Sequence, residues 1–438
     1  MRCISGSFRR RALLNWVTLV VTLMSAAPVP AVDPPVRPEF APAEIKRILE
    51  FSQLGAVPPD PTNRVADSLE AAQFGQRLFF SRWLASDMNT SCATCHMPER
   101  YFTDGDRVGR GVGVGTRNTP TLINSAYQRW QFWDGRSDTL WSQALHPIET
   151  PHEMNGSRVS AVLMVASDER LRADYERVFG ALPDLSSAVR FPRGARPGAD
   201  AGEAAKTAWH GMAEQDRESV NQIFSHLGKA LAAYERKLVG RGAAFDRFVD
   251  GLREGNPEKQ QAISAAAIRG LRLFIGEAGC RNCHFGSRFS SGEFHDTSVP
   301  PADGGVPRDA GRFDGVRKLR DDPFNAAGRF SDDPKGALAE RTMAASAPPE
   351  SWGQFKVPSL RNVAKTAPYM HEGQFATLRD VVRFYSTREN AVPAGHHPQE
   401  TILRPLRLTN EQIDDLVAFL ETLTDQQIAD PQWLKPPD

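Results

Sequence analysis

Apolar positions in this chain recur at helical intervals in several separated segments. Between Ser219 and Val239, the residues Val220, Ile223, Phe224, Leu227, Leu231, Tyr234 and Leu238 fall on one face of a predicted helix. Ile413, Leu416, Val417 and Leu420 form a second stripe near the C-terminus. Thr409, with Gln412 three residues on, reads as the capping box that starts it. Two further segments echo each other. Residues Ala71 to Phe79 and Ala266 to Phe274 share the pattern Ala-Ala-x-x-Gly-x-Arg-Leu-Phe, which predicts one amphipathic helix used twice and a duplicated module. Strand-like alternation is scarce and long loops are many. The predicted fold is mainly α, with long irregular loops.

The ends and linkers divide the chain. Arg9, Arg10 and Arg11 precede an apolar run from Ala12 to Leu23, and Val29-Pro30-Ala31 offers a cleavage site. Residues 1–31 therefore read as a signal peptide that directs export to the periplasm. The run is too short for a good membrane anchor, and no later segment is apolar enough to span a bilayer. The proline-rich stretch 32–63 is expected to be an extended arm. The stretch from Pro183 to Ala205, rich in Arg, Gly, Pro and Ala, is expected to be a surface loop. The two modules are placed at 64–255 and 256–438.

A chain of 438 residues allows one to three domains, and 40% apolar with 24% charged residues is ordinary for a globular protein. The formal net charge is zero, which gives no reason to expect nucleic acid or an anionic membrane as partner.

Cysteine spacing carries the chemistry. Of five cysteines, Cys3 belongs to the signal segment. The others form two pairs, Cys92/Cys95 and Cys280/Cys283, and histidine follows each pair at once, at His96 and His284. An exported protein would ordinarily use four cysteines for disulfides, and four thiols could also hold one zinc ion. Neither explains the two adjacent histidines. Two thiols at this spacing suit thioether bonds to the vinyl groups of one haem, and the next imidazole then meets the iron as proximal ligand. The sequence thus predicts two covalently bound haem c groups and two cytochrome c-like haem domains.

A haem closed on both faces passes electrons, whereas an open one binds peroxide or oxygen. After His96 no histidine occurs until His146, and the intervening run from Arg107 to Gly115 is glycine-rich, so the first haem is the candidate for an open site. Peroxide cleavage needs a group that takes a proton and returns it to the leaving oxygen. Glu149, His152 and Glu153 lie nearby in sequence, and residue type alone does not choose among them.

Several motifs together resemble the bacterial di-haem cytochrome c peroxidase and MauG superfamily. They are Arg117-Asn118-Thr119-Pro120-Thr121, Phe132-Trp133-Asp134-Gly135-Arg136-Ser137, Phe355 to Asn362, and Ala367 to Gly373. The resemblance covers nearly the whole mature chain and implies a hydrogen peroxide-using oxidoreductase. In its Pro-x-Glu-Met pattern the acid–base glutamate is Glu153, with Glu149 in reserve. Trp133 matches a tryptophan lying between the two haems. The family's calcium ion would take the side-chain oxygen of Asn118 and the carbonyls of Thr366 and Pro368, donors that suit a hard cation.

The same resemblance separates subfamilies at the sixth ligand of the second haem. Ordinary peroxidases place a methionine in the helix after the Ala367–Gly373 motif, and here Tyr385 holds that position, as in MauG-like enzymes. Met370 is the competing ligand. The loop before Arg117 lacks the removable histidine of many peroxidases. Glu293-Phe294-His295-Asp296 and Pro323 to Gly328 resemble MbnH-type members most. The implied reaction oxidises a periplasmic protein partner at tryptophan through a state with both irons high-valent, and a copper-binding MbnP-like protein would be such a partner. The alternatives are a peroxidase drawing electrons from a small cytochrome c, and a non-enzymatic electron carrier. MauG-type members carry an exit tryptophan two residues before the second motif, where this chain has Ala278.

Overall fold

Ser68 and Ser264 start the two echo helices. Each side-chain oxygen accepts the backbone N–H three residues on, at 3.1 Å in both cases. A computed structural model describes residues 40–394 and 403–437. The expected signal peptide, the first residues of the expected arm, and His396 and His397 lie outside the described residues. The helices are α1 (Pro42–Leu49), α2 (Leu69–Phe80), α3 (Cys92–Cys95), α4 (Leu140–Glu149), α5 (Arg158–Ser167), α6 (Glu169–Phe179) and α7 (Glu203–Gly211). They continue as α8 (Glu214–Glu235), α9 (Ala244–Glu254), α10 (Ala265–Ile275), α11 (Arg312–Asp321), α12 (Ala337–Ala344), α13 (Leu378–Thr387) and α14 (Asn410–Glu421). The described strands are two residues long, β1 (Phe294–His295) and β2 (Phe355–Lys356), paired antiparallel. The fold is mainly α, as expected. No helix of the described residues is long and apolar enough to cross a membrane.

The echo explains itself at its glycine. A Cβ on Gly75 of α2 would stand 1.9 Å from the carbonyl oxygen of Ala230 in α8, and one on Gly270 of α10 would stand 1.9 Å from that of Asp415 in α14. Each repeat therefore encodes a helix crossing so close that only glycine fits. One core gathers Phe74, Leu78, Trp141, Val162, Phe224 and Leu227 from α2, α4, α5 and α8. The other gathers Phe245, Phe248, Leu271, Phe274, Leu416 and Phe419 from α9, α10 and α14. The capping box at Thr409 and Gln412 is present.

The packing adds detail to the sequence reading. The expected extended arm contains α1, and its apolar side is not free: Ile48 and Phe51 are fully buried in the second core. Helix α9 packs in the second core. The C-terminal segment returns to the first core through Trp433, whose carbonyl accepts the Tyr234 hydroxyl at 2.7 Å. The stretch from Pro183 to Ala205 is largely an exposed loop, as expected, but it is anchored at several points. Leu185, Phe191, Ala195 and Ala201 bury there, a cost-free use of small and apolar residues that composition alone hides. Arg196 pins it, donating to the carbonyls of Glu149 and Gly156 at 2.5 and 2.7 Å.

Candidate active site

The two Cys-x-x-Cys-His segments reach one local geometry by different turns. The first is the α-turn α3, closed by reciprocal capping between Ser91 and Thr94. The second is a 3-10 turn from Cys280 to Asn282. Each histidine backbone N–H returns to the carbonyl of its first cysteine at 2.9 Å. The imidazoles are then oriented from behind, with Nδ1 of His96 on the Phe102 carbonyl at 3.1 Å and Nδ1 of His284 on the Phe289 carbonyl at 2.9 Å. A donating Nδ1–H leaves Nε2 as the free ligand atom, the arrangement a metal-binding imidazole needs. Burial lowers His96 and pushes His284 down to about 4, so both rings are neutral, in the ligating form. None of Cys92, Cys95, Cys280 and Cys283 forms a disulfide. Among the described residues no three His, Cys, Asp or Glu side chains come together to hold a metal, so the shared zinc site is set aside.

Cys95, His96, Cys280, Cys283 and His284 line one cavity of about 1240 Å³. That exceeds the roughly 300–1,000 Å³ of a cleft for one small ligand, so there is room for more than one group. The donor set and the cavity fit two haems.

Glu153 lines this cavity and is held by the glycine-rich loop. The Val112 N–H donates to its carbonyl at 2.7 Å, and the Gly113 N–H donates to that of His152 at 3.0 Å. A Cβ on Gly111 would stand 2.0 Å from the Glu153 carbonyl oxygen. The loop that offers no ligand is therefore a clamp on the acid–base turn. Glu149 is not brought to the cavity. Arg158 binds it with two nitrogens, Nη2 to Oε2 at 2.6 Å and Nε to Oε1 at 3.0 Å, and the Arg158 N–H adds a third bond at 2.9 Å. The reserve residue is a partner in a buried ion pair.

Trp133 sits where the two halves meet. Its Nε1–H donates to the Asn118 carbonyl at 2.9 Å, and its own carbonyl accepts the Lys356 N–H at 2.8 Å. The next residue fixes the turn. Burial raises the Asp134 carboxyl, but the Arg136 and Arg117 guanidinium groups outweigh it and hold Asp134 well below the usual carboxylate range. Arg117 also grips Asp309 of the second half with two 2.7 Å bonds. Gly135 has φ +67°, and a Cβ there would meet the Phe294 ring at 2.4 Å.

Asn118, Thr366 and Pro368 line the same cavity. The Asn118 Nδ2–H donates to the Asp106 carbonyl at 3.1 Å, which leaves Oδ1 as the donor atom for a cation. Carbonyl and amide oxygens of this kind fit calcium.

The α13 face formed by Leu378, Val381, Val382 and Tyr385 lines the cavity at helical spacing. Burial pushes the Tyr385 phenol up to about 12, the nearby Arg388 guanidinium opposes the rise, and Cys283 and Cys280 act on it electrostatically. Met370 lines the cavity as well, at φ +72°. Ala278 is buried on its wall.

Several residues here escaped the sequence reading. Gln143, His146, Pro147 and Thr150 form the cavity face of α4, opposite the buried Trp141, Leu145 and Ile148. Their i, i+3, i+4, i+7 spacing was the available signal. Arg388 lies three residues beyond Tyr385, and Lys356 stands within a motif already noted. Nothing local in sequence marks Gly198, Ala199 and Asp200, which also reach the cavity wall.

Two haem-attachment turns on a duplicated helical fold, opening into one cavity, define a di-haem c-type cytochrome. Comparison with known proteins agrees. The family described as di-haem cytochrome c peroxidase matches residues 69–254. The chain is 33% identical over 360 residues to methylamine utilization protein MauG of Methylorubrum extorquens, covering 81% of this chain and 78% of that one. It is 31% identical to cytochrome-c peroxidase IdrP1 of Denitromonas iodatirespirans, covering 86% and 87%. Among solved structures it resembles a MauG-like protein associated with microbial copper homeostasis, with TM-score 0.58, 26% identity, and coverage of 88% and 98%. It also resembles the diheme peroxidase BthA of Burkholderia thailandensis, with TM-score 0.60, 25% identity, and coverage of 88% and 93%. The chain belongs to the di-haem cytochrome c peroxidase and MauG family, whose members are peroxidase-type oxidoreductases carrying two c-type haems.

Proposed function

We propose that this protein is an exported, periplasmic oxidoreductase of the MauG and MbnH type, which reacts with hydrogen peroxide and oxidises a protein partner at tryptophan. One observation carries the reading. Tyr385 stands on the cavity face of α13, in the same cavity that Cys280, Cys283, His284, His96 and Glu153 line. His96 would hold the first haem and His284 the second, and the bound haems would supply the redox chemistry. Glu153 accepts the peroxide proton and returns it to the departing oxygen. Trp133 passes a hole between the two halves. Tyr385, rather than Met370, would be the second haem's sixth ligand, and a phenolate there would favour the oxidised metal. Asn118, Thr366 and Pro368 hold calcium and brace the Trp133 contact. The copper context of the MauG-like structural relative supports a copper-binding, MbnP-like partner.

The test pairs the mature holoprotein with peroxide and a candidate partner. Mass spectrometry should show an oxidised tryptophan in the partner. Fast steady-state oxidation of a reduced small cytochrome c, with no partner modified, would contradict the reading and favour the peroxidase function named for the IdrP1 relative. Two low-spin haems at rest would instead favour an electron carrier.

A further inference from the structure

His146 is a cavity-wall histidine that the reaction above leaves unused. It shares the cavity face of α4 with Gln143, Pro147 and Thr150, the turn that leads to Glu153. Its Nε2 stands 3.1 Å from Oδ2 of Asp322, just past the end of α11. The carboxylate is itself fixed: the Phe324 N–H donates to Oδ1 at 2.9 Å and the Ser142 hydroxyl to Oδ2 at 3.1 Å. Burial raises the Asp322 carboxyl, but His146 and these donors outweigh it and hold it below the usual carboxylate range. The edge of the Phe132 ring packs on the imidazole, with centroids 5.5 Å apart.

The pair is neither sealed nor fully exposed, at 27% for the His146 side chain and 9% for that of Asp322. The exposed Lys318 and Asp321 of α11 line the same cavity. Asp322 directly follows the rim residue Asp321 in sequence, and His146, its more exposed partner, lines the cavity beside it. An imidazole held by a buried carboxylate is a common proton carrier near neutral pH.

The stoichiometry requires that protons enter the cavity. One hydrogen peroxide, two protons and two electrons give two waters. Glu153 takes a proton from peroxide and gives it back to the leaving oxygen, which brings in nothing from outside. Both protons must then enter from solvent as the oxidised protein is reduced. We propose that His146, oriented by Asp322, relays these protons from the Lys318–Asp321 rim to the cavity. The relay rests on the peroxide reading above. Other charged groups near the pair are Asp138, on whose carboxyl Asp322 acts, and Arg136, stacked on Phe132; His152 and Glu153 line the same cavity.

The test follows protons directly. Mature holoprotein is oxidised with one equivalent of hydrogen peroxide and reduced by ferrocyanide in weak buffer with a pH indicator. Peroxide, two protons and two ferrocyanides give two waters and two ferricyanides. In His146→Gln, proton uptake should slow by roughly a hundredfold, with a larger solvent isotope effect, while the resting ferric spectrum keeps the parent form. Asp322→Asn, which preserves shape, should slow it less, and it serves also if His146→Gln loads haem poorly. Uptake matching the parent in both variants overturns the relay. A changed resting spectrum in His146→Gln would mark His146 as an iron ligand and overturn it too. A parent protein that takes up no protons after peroxide overturns the peroxide reading, and the relay with it.

Discussion

The indole Nε1–H of Trp133 donates to the backbone carbonyl of Asn118 at 2.9 Å. The aromatic assigned to hole transfer therefore hangs on the residue assigned to calcium. Asn118 is tied in turn to the second half, its N–H donating to the His371 carbonyl at 2.8 Å. Removing calcium with a chelator should loosen this seam. The expected result is a weaker peroxide-induced signal shared by both haems, restored when calcium is added back. Trp133→Phe should lose the shared signal permanently, while each haem keeps its resting spectrum.

The two glutamates of the acid–base segment should separate cleanly. Glu153→Gln should slow the reaction with peroxide by about 10²–10⁴-fold, the range of a lost general acid–base group. Glu149→Gln should leave that rate almost unchanged but cost about 3 kcal/mol of stability, because it strands Arg158 in a buried site. Stopped-flow mixing with peroxide and thermal unfolding read the two effects.

The echo glycines should respond alike, each in its own half. Gly75→Ala and Gly270→Ala each force a methyl group against a carbonyl oxygen 1.9 Å away. Each should destabilise the holoprotein by roughly 1–3 kcal/mol or more, since the helices must move apart. Thermal unfolding followed at the haem bands checks this.

The repeat, the haem turns and the helical class were all legible in the sequence because each rests on short-range spacing. The helix that carries Tyr385 was expected from the family resemblance rather than from spacing. What the sequence hid is long-range. Residue type leaves Glu149 and Glu153 equivalent and the family pattern prefers Glu153, but only the fold shows that Arg158 claims Glu149 and the glycine loop holds the Glu153 backbone. The segment around Arg196 reads as polar surface by composition, yet its guanidinium finds carbonyls more than forty residues away in sequence at Glu149 and close to that at Gly156. The α1 segment was masked by its prolines, although Pro42 sits at the first helical position, where it is tolerated.

A buried acid predicts a pH effect. Glu235 in α8 is 4% exposed, its Oε2 has no partner, and burial pushes its carboxyl up to about 8. The folded state then holds a proton that the unfolded chain releases near 4.5. Stability from this group is full below the unfolded value and falls as pH rises from there to about 8. Glu235→Gln should flatten that part of the stability–pH curve, as measured by denaturant unfolding across the range.

The central claim is that Tyr385 closes the second haem while the first stays open and shares its oxidising equivalents through Trp133. The most direct test compares peroxide-treated parent and Tyr385→His holoproteins in the near infrared. The parent should show a long-lived charge-resonance band spanning both haems, and the variant should lack it. The same band at the same lifetime in both proteins would contradict the account.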